Sequence, residues 1–353
     1  MTSKLYVKYL ISVLVIFILF HFITWNLITK NIFGNDENIY IGDLGRLSYS
    51  IDSLYPRKNE SSLKQVYKVF MDYSQTDVIT IGDSFSRGDS GGKNANYQDF
   101  IATNYNLDVL NISPSDKGYI ETVLMLISSG VLDLLKPKAI ILESVERSAI
   151  QRFSNPIDWS VHGELDELLA KSPDKFIPHT PDASFVNHNN YMAWIYRILY
   201  RYYDNALLSK VYKVQLTHDF FTSREKRTLL YLSRDLDGIR KSNIHSISLL
   251  NENLNHLQAI LENKGIQLYF LPAADKYNIY SKYIIDNKYA ESNFFEILRE
   301  KNKNYHLIDT KLILQKLTDN GVQDVYYSDD THWTDKASAE IVNYFEFSVA
   351  HEN

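Results

Sequence analysis

Polar and apolar positions follow three different rhythms along this chain. From Tyr9 to Ile28 the run YLISVLVIFILFHFITWNLI carries no formal charge. A helix of about 20 apolar residues covers a bilayer core. Lys4 and Lys8 precede the run, and basic residues there favour a cytoplasmic N-terminus. His21 and Asn26 are its strongly polar side chains. The run exceeds the apolar region of a signal peptide, and no small-x-small cleavage site follows. An uncleaved single-pass anchor is therefore expected over residues 1–30, with the remainder outside the cytoplasm.

The second rhythm is polar and aperiodic, over 31–60, and reads as a tether with short local structure. The third fills the rest of the chain. Ser61–Tyr73 has the pattern of a serine-capped helix. Short apolar runs then recur at Asp77–Ile81, Leu107–Ile112, Ala139–Leu142, Ile266–Leu271 and Leu307–Ile308. Between and after them, helical spacing covers Tyr119–Leu135, His245–Asn263, Phe294–Lys301 and Asp335–Phe345. Strands that are apolar throughout and alternate with helices predict an α/β domain with a mostly parallel sheet covered on both faces. Gly265 follows Asn263-Lys264 and suits a left-handed helix stop. The domain is expected over 61–353, interrupted by a partly helical insertion at about 152–235. That stretch holds Trp159, His162, Pro173, Pro178, Pro181 and the Tyr-rich run Tyr191–Tyr203, and Thr228–Leu232 is a candidate further strand.

Composition changes this picture little. Of 353 residues, 45% are hydrophobic and 23% charged, as in a globular protein. A net charge of −6 argues against nucleic acid as a partner. The absence of cysteine excludes disulfides, thiolate metal sites and cysteine nucleophiles. No His-x-x-x-His pair or carboxylate spacing points to a metal, and no cofactor is implied.

The candidate chemistry sits in two clusters. Ile81-Gly82-Asp83-Ser84-Phe85 closes the apolar run Val78–Ile81, and Asp329-Asp330-Thr331-His332-Trp333 lies near the C-terminus. A serine hydroxyl needs a base within hydrogen-bond reach to act as a nucleophile at neutral pH. The base in turn needs an acid to fix its tautomer and support the imidazolium. Ser84, His332 and either Asp329 or Asp330 could fill these three roles. Asp83 reads as a structural hydrogen-bonding group beside the nucleophile.

These residues resemble the SGNH (GDSL-type) hydrolase and acyltransferase superfamily, in particular bacterial O-acetyltransferases of the alginate O-acetylation type. Gly82-Asp83-Ser84-Phe85 and Asp-Thr-His-Trp at 330–333 are similar to that group. So are Leu142-Glu143-Ser144-Val145-Glu146-Arg147 and the segment Leu271–Tyr280 with Lys276. The resemblance spans about 60 to 350, apart from the insertion, and implies an SGNH-like three-layer sandwich. The order of the two clusters is the ordinary superfamily order. Its Asp-x-x-His spacing selects Asp329, whereas the alginate-type Asp-x-His spacing selects Asp330; Asp329 is the preferred triad acid, leaving Asp330 to cap the helix that follows. Ser113 stands where the superfamily has an oxyanion glycine. Glu143-Ser144 replaces the Gly-x-Asn-Asp block, which leaves Ser144 as the second oxyanion candidate and the usual Asn donor missing. Arg147 and Lys276 are candidates for binding an acidic sugar or positioning a loop, with Arg147 paired to Glu143 or Glu146 as its structural alternative; Trp333 is a candidate for stacking on a sugar ring, with packing beneath the loop as its alternative. The function implied is membrane-anchored, extracytoplasmic transfer of an acetyl group onto a surface or exported polysaccharide through a Ser84 acyl-enzyme. A multi-pass membrane acyltransferase would be the acetyl donor. A carbohydrate esterase, a non-catalytic glycan-binding protein and a teichoic-acid D-alanylation partner stay open as alternatives.

Overall fold

The computed structural model describes residues 3–34, 39–58, 63, 65–69, 76–88, 95–163, 184–207 and 209–347. Its centre is a five-stranded, wholly parallel sheet. In chain order the strands are β1 (Ile39–Tyr40), β2 (Arg57–Lys58), β3 (Val78–Ile81), β4 (Val109–Ile112), β5 (Ala139–Val145), β6 (Val211–Gln215), β7 (Thr228–Leu232), β8 (Gln267–Ala273) and β9 (His306–Leu307). The central sheet has the spatial order β4-β3-β5-β8-β9. Every residue of β3, β4 and β5 is buried, so apolar or hydrogen-bonded side chains face inward on both sides. This accounts for the unbroken apolar runs in the sequence. The fold is thus α/β with a parallel sheet, as the patterning predicts.

The first strand of this sheet in the chain, β3, lies between the second and third, β4 and β5. In such a doubly wound sheet the connections from β3 and β5 leave in opposite directions, and a crevice opens beyond their carboxyl ends. Ser84 follows β3 at that point.

The expected helix Tyr119–Leu135 divides at Gly130, whose φ of 75° is left-handed, into Tyr119–Ser128 and Val131–Leu135. Gly265, with φ of 71°, ends the helix Ile244–Glu262 as expected. The helix expected over Ser61–Tyr73 is absent wherever that segment is described, at 63 and 65–69. Lys68 instead pairs in parallel with β4: its N–H donates to Val109 O and its carbonyl accepts from Asn111 N–H, each at 2.8 Å. The open edge of β4 offers backbone partners that outweigh the local helical period. The remainder of that segment lies outside the described residues.

The tether and the insertion carry elements of their own. Residues 39–58 are structured: β1 pairs antiparallel with β2, and the helix Asp43–Ser48 lies between them. Thr228–Leu232 is a strand, but it joins β6 in a separate antiparallel pair and not the central sheet. Leu44 of the tether packs with Val211 and Leu230 of that pair. The insertion also contributes the helix Asn189–Leu199.

Among the described residues one helix, Ser3–Phe33, is long and apolar enough to cross a membrane. A π turn at Trp25–Thr29 interrupts its α geometry. His21, Thr24 and Thr29 of this helix bond to the insertion helix. Asn190 Nδ2 lies 2.7 Å from His21 Nδ1, and Tyr191 Oη 3.2 Å from His21 Nε2. Thr29 donates to Asn190 Oδ1 at 2.5 Å, and Trp194 Nε1 donates to Thr24 Oγ1 at 2.8 Å.

Candidate active site

The chain turns sharply after β3 because Gly82 has no side chain. A Cβ at Gly82 would run into Glu143 Oε2 and Ser86 Oγ. Glu143, fully buried in β5, uses the space: it accepts from Asp83 N–H at 2.8 Å and from Ser86 Oγ at 2.9 Å. Burial, followed by the charge of Asp83, pushes the Glu143 carboxyl well above the usual range. Asp83 is the structural residue the sequence suggests. Its carboxylate accepts from Phe85 N–H at 3.2 Å and Val145 N–H at 2.9 Å, and pairs with Arg152. Burial opposes its ionisation, but Arg152 and these N–H donors hold its pKa below the ordinary value. Ser84 is thereby fixed as the first residue of the short helix Ser84–Arg87, half-buried, at the carboxyl end of the sheet.

The C-terminal cluster meets it there. His332 Nε2 lies 2.8 Å from Ser84 Oγ, and His332 Nδ1 lies 2.6 Å from Asp330 Oδ1. With Nδ1–H donating to the carboxylate, Nε2 is left to accept the serine proton. The ring packs on Phe85, whose centroid is 4.5 Å from both His332 and Trp333. Serine, histidine and aspartate therefore form an unbroken hydrogen-bonded relay.

The acid of this relay is Asp330, which corrects the preference for Asp329. Asp330 Oδ1 also accepts from the backbone N–H of His332 at 3.0 Å. Its Oδ2 accepts from Arg57 Nη2 at 2.6 Å and from Tyr40 Oη at 3.2 Å. Burial alone would raise the Asp330 pKa; the His332 ring, its hydrogen bonds and Arg57 outweigh burial and hold the carboxylate well below its usual range. Asp329 faces the tether. It accepts from Arg57 Nη1 at 2.9 Å and from Gly42 N–H at 3.0 Å. The helix that follows has Thr334 at its N-cap, so neither aspartate caps it.

Arg57 is the residue that separates the two roles. It is 5% exposed, binds one oxygen of each aspartate, and stacks between Tyr40 and Tyr327 at 4.6 and 3.9 Å. A second tether residue, Asp43, accepts from Thr331 N–H at 2.9 Å and from Thr331 Oγ1 at 3.0 Å. Burial, then the nearby Asp330 charge, pushes Asp43 up to about 6. Gly42 allows this approach, since a Cβ there would overlap the backbone of Asp329. Arg57, Asp43, Gly42 and Tyr40 carry no sequence signal: they lie in an aperiodic segment far from either cluster.

The remaining sequence candidates are placed differently. Lys276 is buried, and its Nζ donates to the carbonyls of Tyr327, Ser328 and Asp330 at 2.7, 3.0 and 3.1 Å. It fixes the His332 loop and does not reach outward to a sugar. Burial brings its pKa down to about 8. Arg147 is also turned inward, paired with Asp235 and Asp275 at 3.3 and 2.5 Å, not with Glu143 or Glu146. Those two carboxylates come from the start of the helix Ser233–Lys241 and the cap of the helix Lys276–Tyr280 after β8, neither of them local in sequence. Trp333 is 1% exposed and packs beneath the loop. Ser144 is fully buried; its hydroxyl donates to Val145 O and accepts from Arg152 Nη1. Ser113 is half-buried just past β4. Among the described residues no hydrogen bond joins Ser113 or Ser144 to Ser84.

Comparison with protein-family models, with curated proteins and with solved structures finds no match to this chain.

Proposed function

We propose that this chain is a membrane-anchored O-acetyltransferase of the SGNH type, acting outside the cytoplasm on hydroxyls of a surface or exported polysaccharide. The observation that carries the reading is the Ser84–His332–Asp330 relay, at 2.8 and 2.6 Å, standing at the carboxyl end of a parallel sheet. The sequence likeness of both clusters to polysaccharide O-acetyltransferases supplies the substrate class.

In this reading Ser84 Oγ attacks the carbonyl carbon of an acetyl donor while its proton moves to His332 Nε2. The tetrahedral adduct collapses, the donor's leaving oxygen takes that proton, and an acetyl ester remains on Ser84. A sugar hydroxyl then gives its proton to His332 and attacks the ester. Ser84 leaves and regains the proton, closing the cycle. Asp330 stays ionised throughout and supports the imidazolium. A multi-pass membrane acyltransferase would deliver the acetyl group to the extracytoplasmic side.

The test is acetyl transfer by the full chain in membranes, from an activated acetyl ester to a matching oligosaccharide. Ser84→Ala should abolish transfer and the burst of released leaving group. Release of acetate to water at saturating acceptor, with no acetylated sugar, would make the chain an esterase. Undiminished glycan acetylation with Ser84→Ala would leave a binding or scaffold role.

A further inference from the structure

We propose that the insertion helix Asn189–Leu199 and the turn after it lie in the membrane interface, with their free apolar stripe immersed in lipid. The proposal rests on the reading of Ser3–Phe33 as a membrane span.

The helix has two faces. Asn190, Ala193 and Tyr196 are buried. Asn190 binds His21 and Thr29 of the membrane helix, Ala193 packs with Ile28 and Ile32, and Tyr196 meets Tyr49 edge-on. The other face carries Tyr191, Trp194, Ile195, Ile198 and Tyr202, which follow the i, i+3, i+4, i+7, i+11 spacing of one helical stripe. All are exposed, from 37% at Trp194 to 76% at Tyr202. Tyr191 and Trp194 also lean on the membrane helix, through Phe20, His21 and Thr24, so the stripe runs from that helix outward to Ile195, Ile198 and Tyr202.

Lipid is the occupant because this stripe adjoins the span. Contacts from the insertion helix reach the membrane helix at His21, Thr24 and Thr29. Counting about 20 residues for a bilayer core from Leu10, just past Lys8, places its far boundary near Thr29. His21 to Thr29 spans roughly 12 Å of helix at 1.5 Å per residue. The insertion helix is therefore held at the depth of that boundary, where Trp and Tyr are favoured. Phe22, Ile23 and Leu27 of the span are themselves exposed and continue the apolar surface. Arg197 and Arg201, both exposed and one turn apart, give the helix a basic polar edge, the composition of an in-plane amphipathic helix. Hydrogen bonding by Asn190 and Trp194 also satisfies His21 and Thr24, which would otherwise be costly polar groups near hydrocarbon.

The chain has no cysteine, so single labels can be placed without background. Full-length Ile195→Cys and Ile198→Cys, each carrying an environment-sensitive fluorophore, are reconstituted in phosphatidylcholine–phosphatidylglycerol vesicles. Leu14→Cys in the span and Arg240→Cys on the far surface serve as references. The proposal expects blue-shifted emission at positions 195 and 198, quenched by lipid-borne spin label as at position 14 and shielded from aqueous iodide, unlike position 240. Lipid quenching at 14 with water-exposed labels at 195 and 198 would overturn it while leaving the span intact. Blue-shifted labels that lipid cannot quench would mean a protein, either a second copy or a partner, covers the stripe, and would also overturn it. A water-exposed label at position 14 would remove the membrane reading and the proposal together.

Discussion

At the scale of single residues, one guanidinium decides which aspartate serves the histidine. Arg57 and Gly42 draw Asp329 toward the tether, and Asp330 is left with one oxygen for His332 and one for Arg57. Asp330→Asn would place an amide behind the ring and favour the wrong tautomer. Turnover in acetyl transfer should fall by about 10⁴-fold with the fold retained. Asp329→Asn should act mainly on stability, since it unpairs half of a buried ion cluster; removing one partner of such a pair costs about 3–5 kcal/mol. Kinetics and thermal melts of the two variants, measured side by side, separate the roles, and an inactive but fully stable Asp329→Asn would contradict them. Asp330 also sets an acid limit. Its folded pKa is depressed from the ordinary 3.8, so its stabilisation is present above that value and lost as pH falls below it. Acid melts should show the wild type losing stability below about pH 4 more steeply than Asp330→Asn.

At the scale of elements, the loop bearing His332 is held by groups from elsewhere in the chain. Lys276, opening the short helix Lys276–Tyr280 after β8, binds three of its carbonyls. Lys276→Met would leave those carbonyls without a donor, at about 1–3 kcal/mol for each one left unsatisfied. Melting should drop, and transfer should weaken through misplacement of His332. The same lysine predicts a pH effect. Its pKa is about 8 when folded and 10.5 ordinarily. A depressed folded value means stability gained as pH rises through that interval and lost as pH falls through 8. The stability difference between wild type and Lys276→Met should therefore widen in favour of wild type from pH 8 to 10.5, which urea titrations across that range would measure.

At the scale of the whole molecule, the segment between membrane helix and sheet belongs to the site. Tyr40, Gly42, Asp43 and Arg57 all touch the His332 loop. A chain beginning at residue 60 would retain the sheet, Ser84 and His332 but lose these contacts, and is expected to melt lower and transfer no acetyl group. A cut within 35–38 should be far milder in the same assays. With Ser3–Phe33 as the proposed anchor, a reporter fused after Asn353 should be active only outside the cytoplasm. Activity inside would reverse the orientation inferred from Lys4 and Lys8 and remove the glycan reading with it.

The sequence by itself determined the elements whose cause is local. β3, β4, β5 and β8 are legible because strands buried on both faces are apolar at most positions, and Ser3–Phe33 because it is long and apolar enough to cross a membrane. Ser84 and His332 are legible because each sits in a compact motif at the end of a recognisable element. Tertiary structure decided what depends on partners distant in sequence. Asp329 and Asp330 are adjacent and chemically identical, and only Arg57 and Gly42, more than 270 positions away, tell them apart. Lys276 and Arg147 look like surface cations until the loop carbonyls and the pair Asp235 and Asp275 enclose them. Lys68 follows a helical pattern until the open edge of β4 supplies better backbone partners. Local patterning records which groups a chain must bury. It does not record which groups will meet them, because side-chain pairing is settled only when the sheet, tether and insertion close around one another.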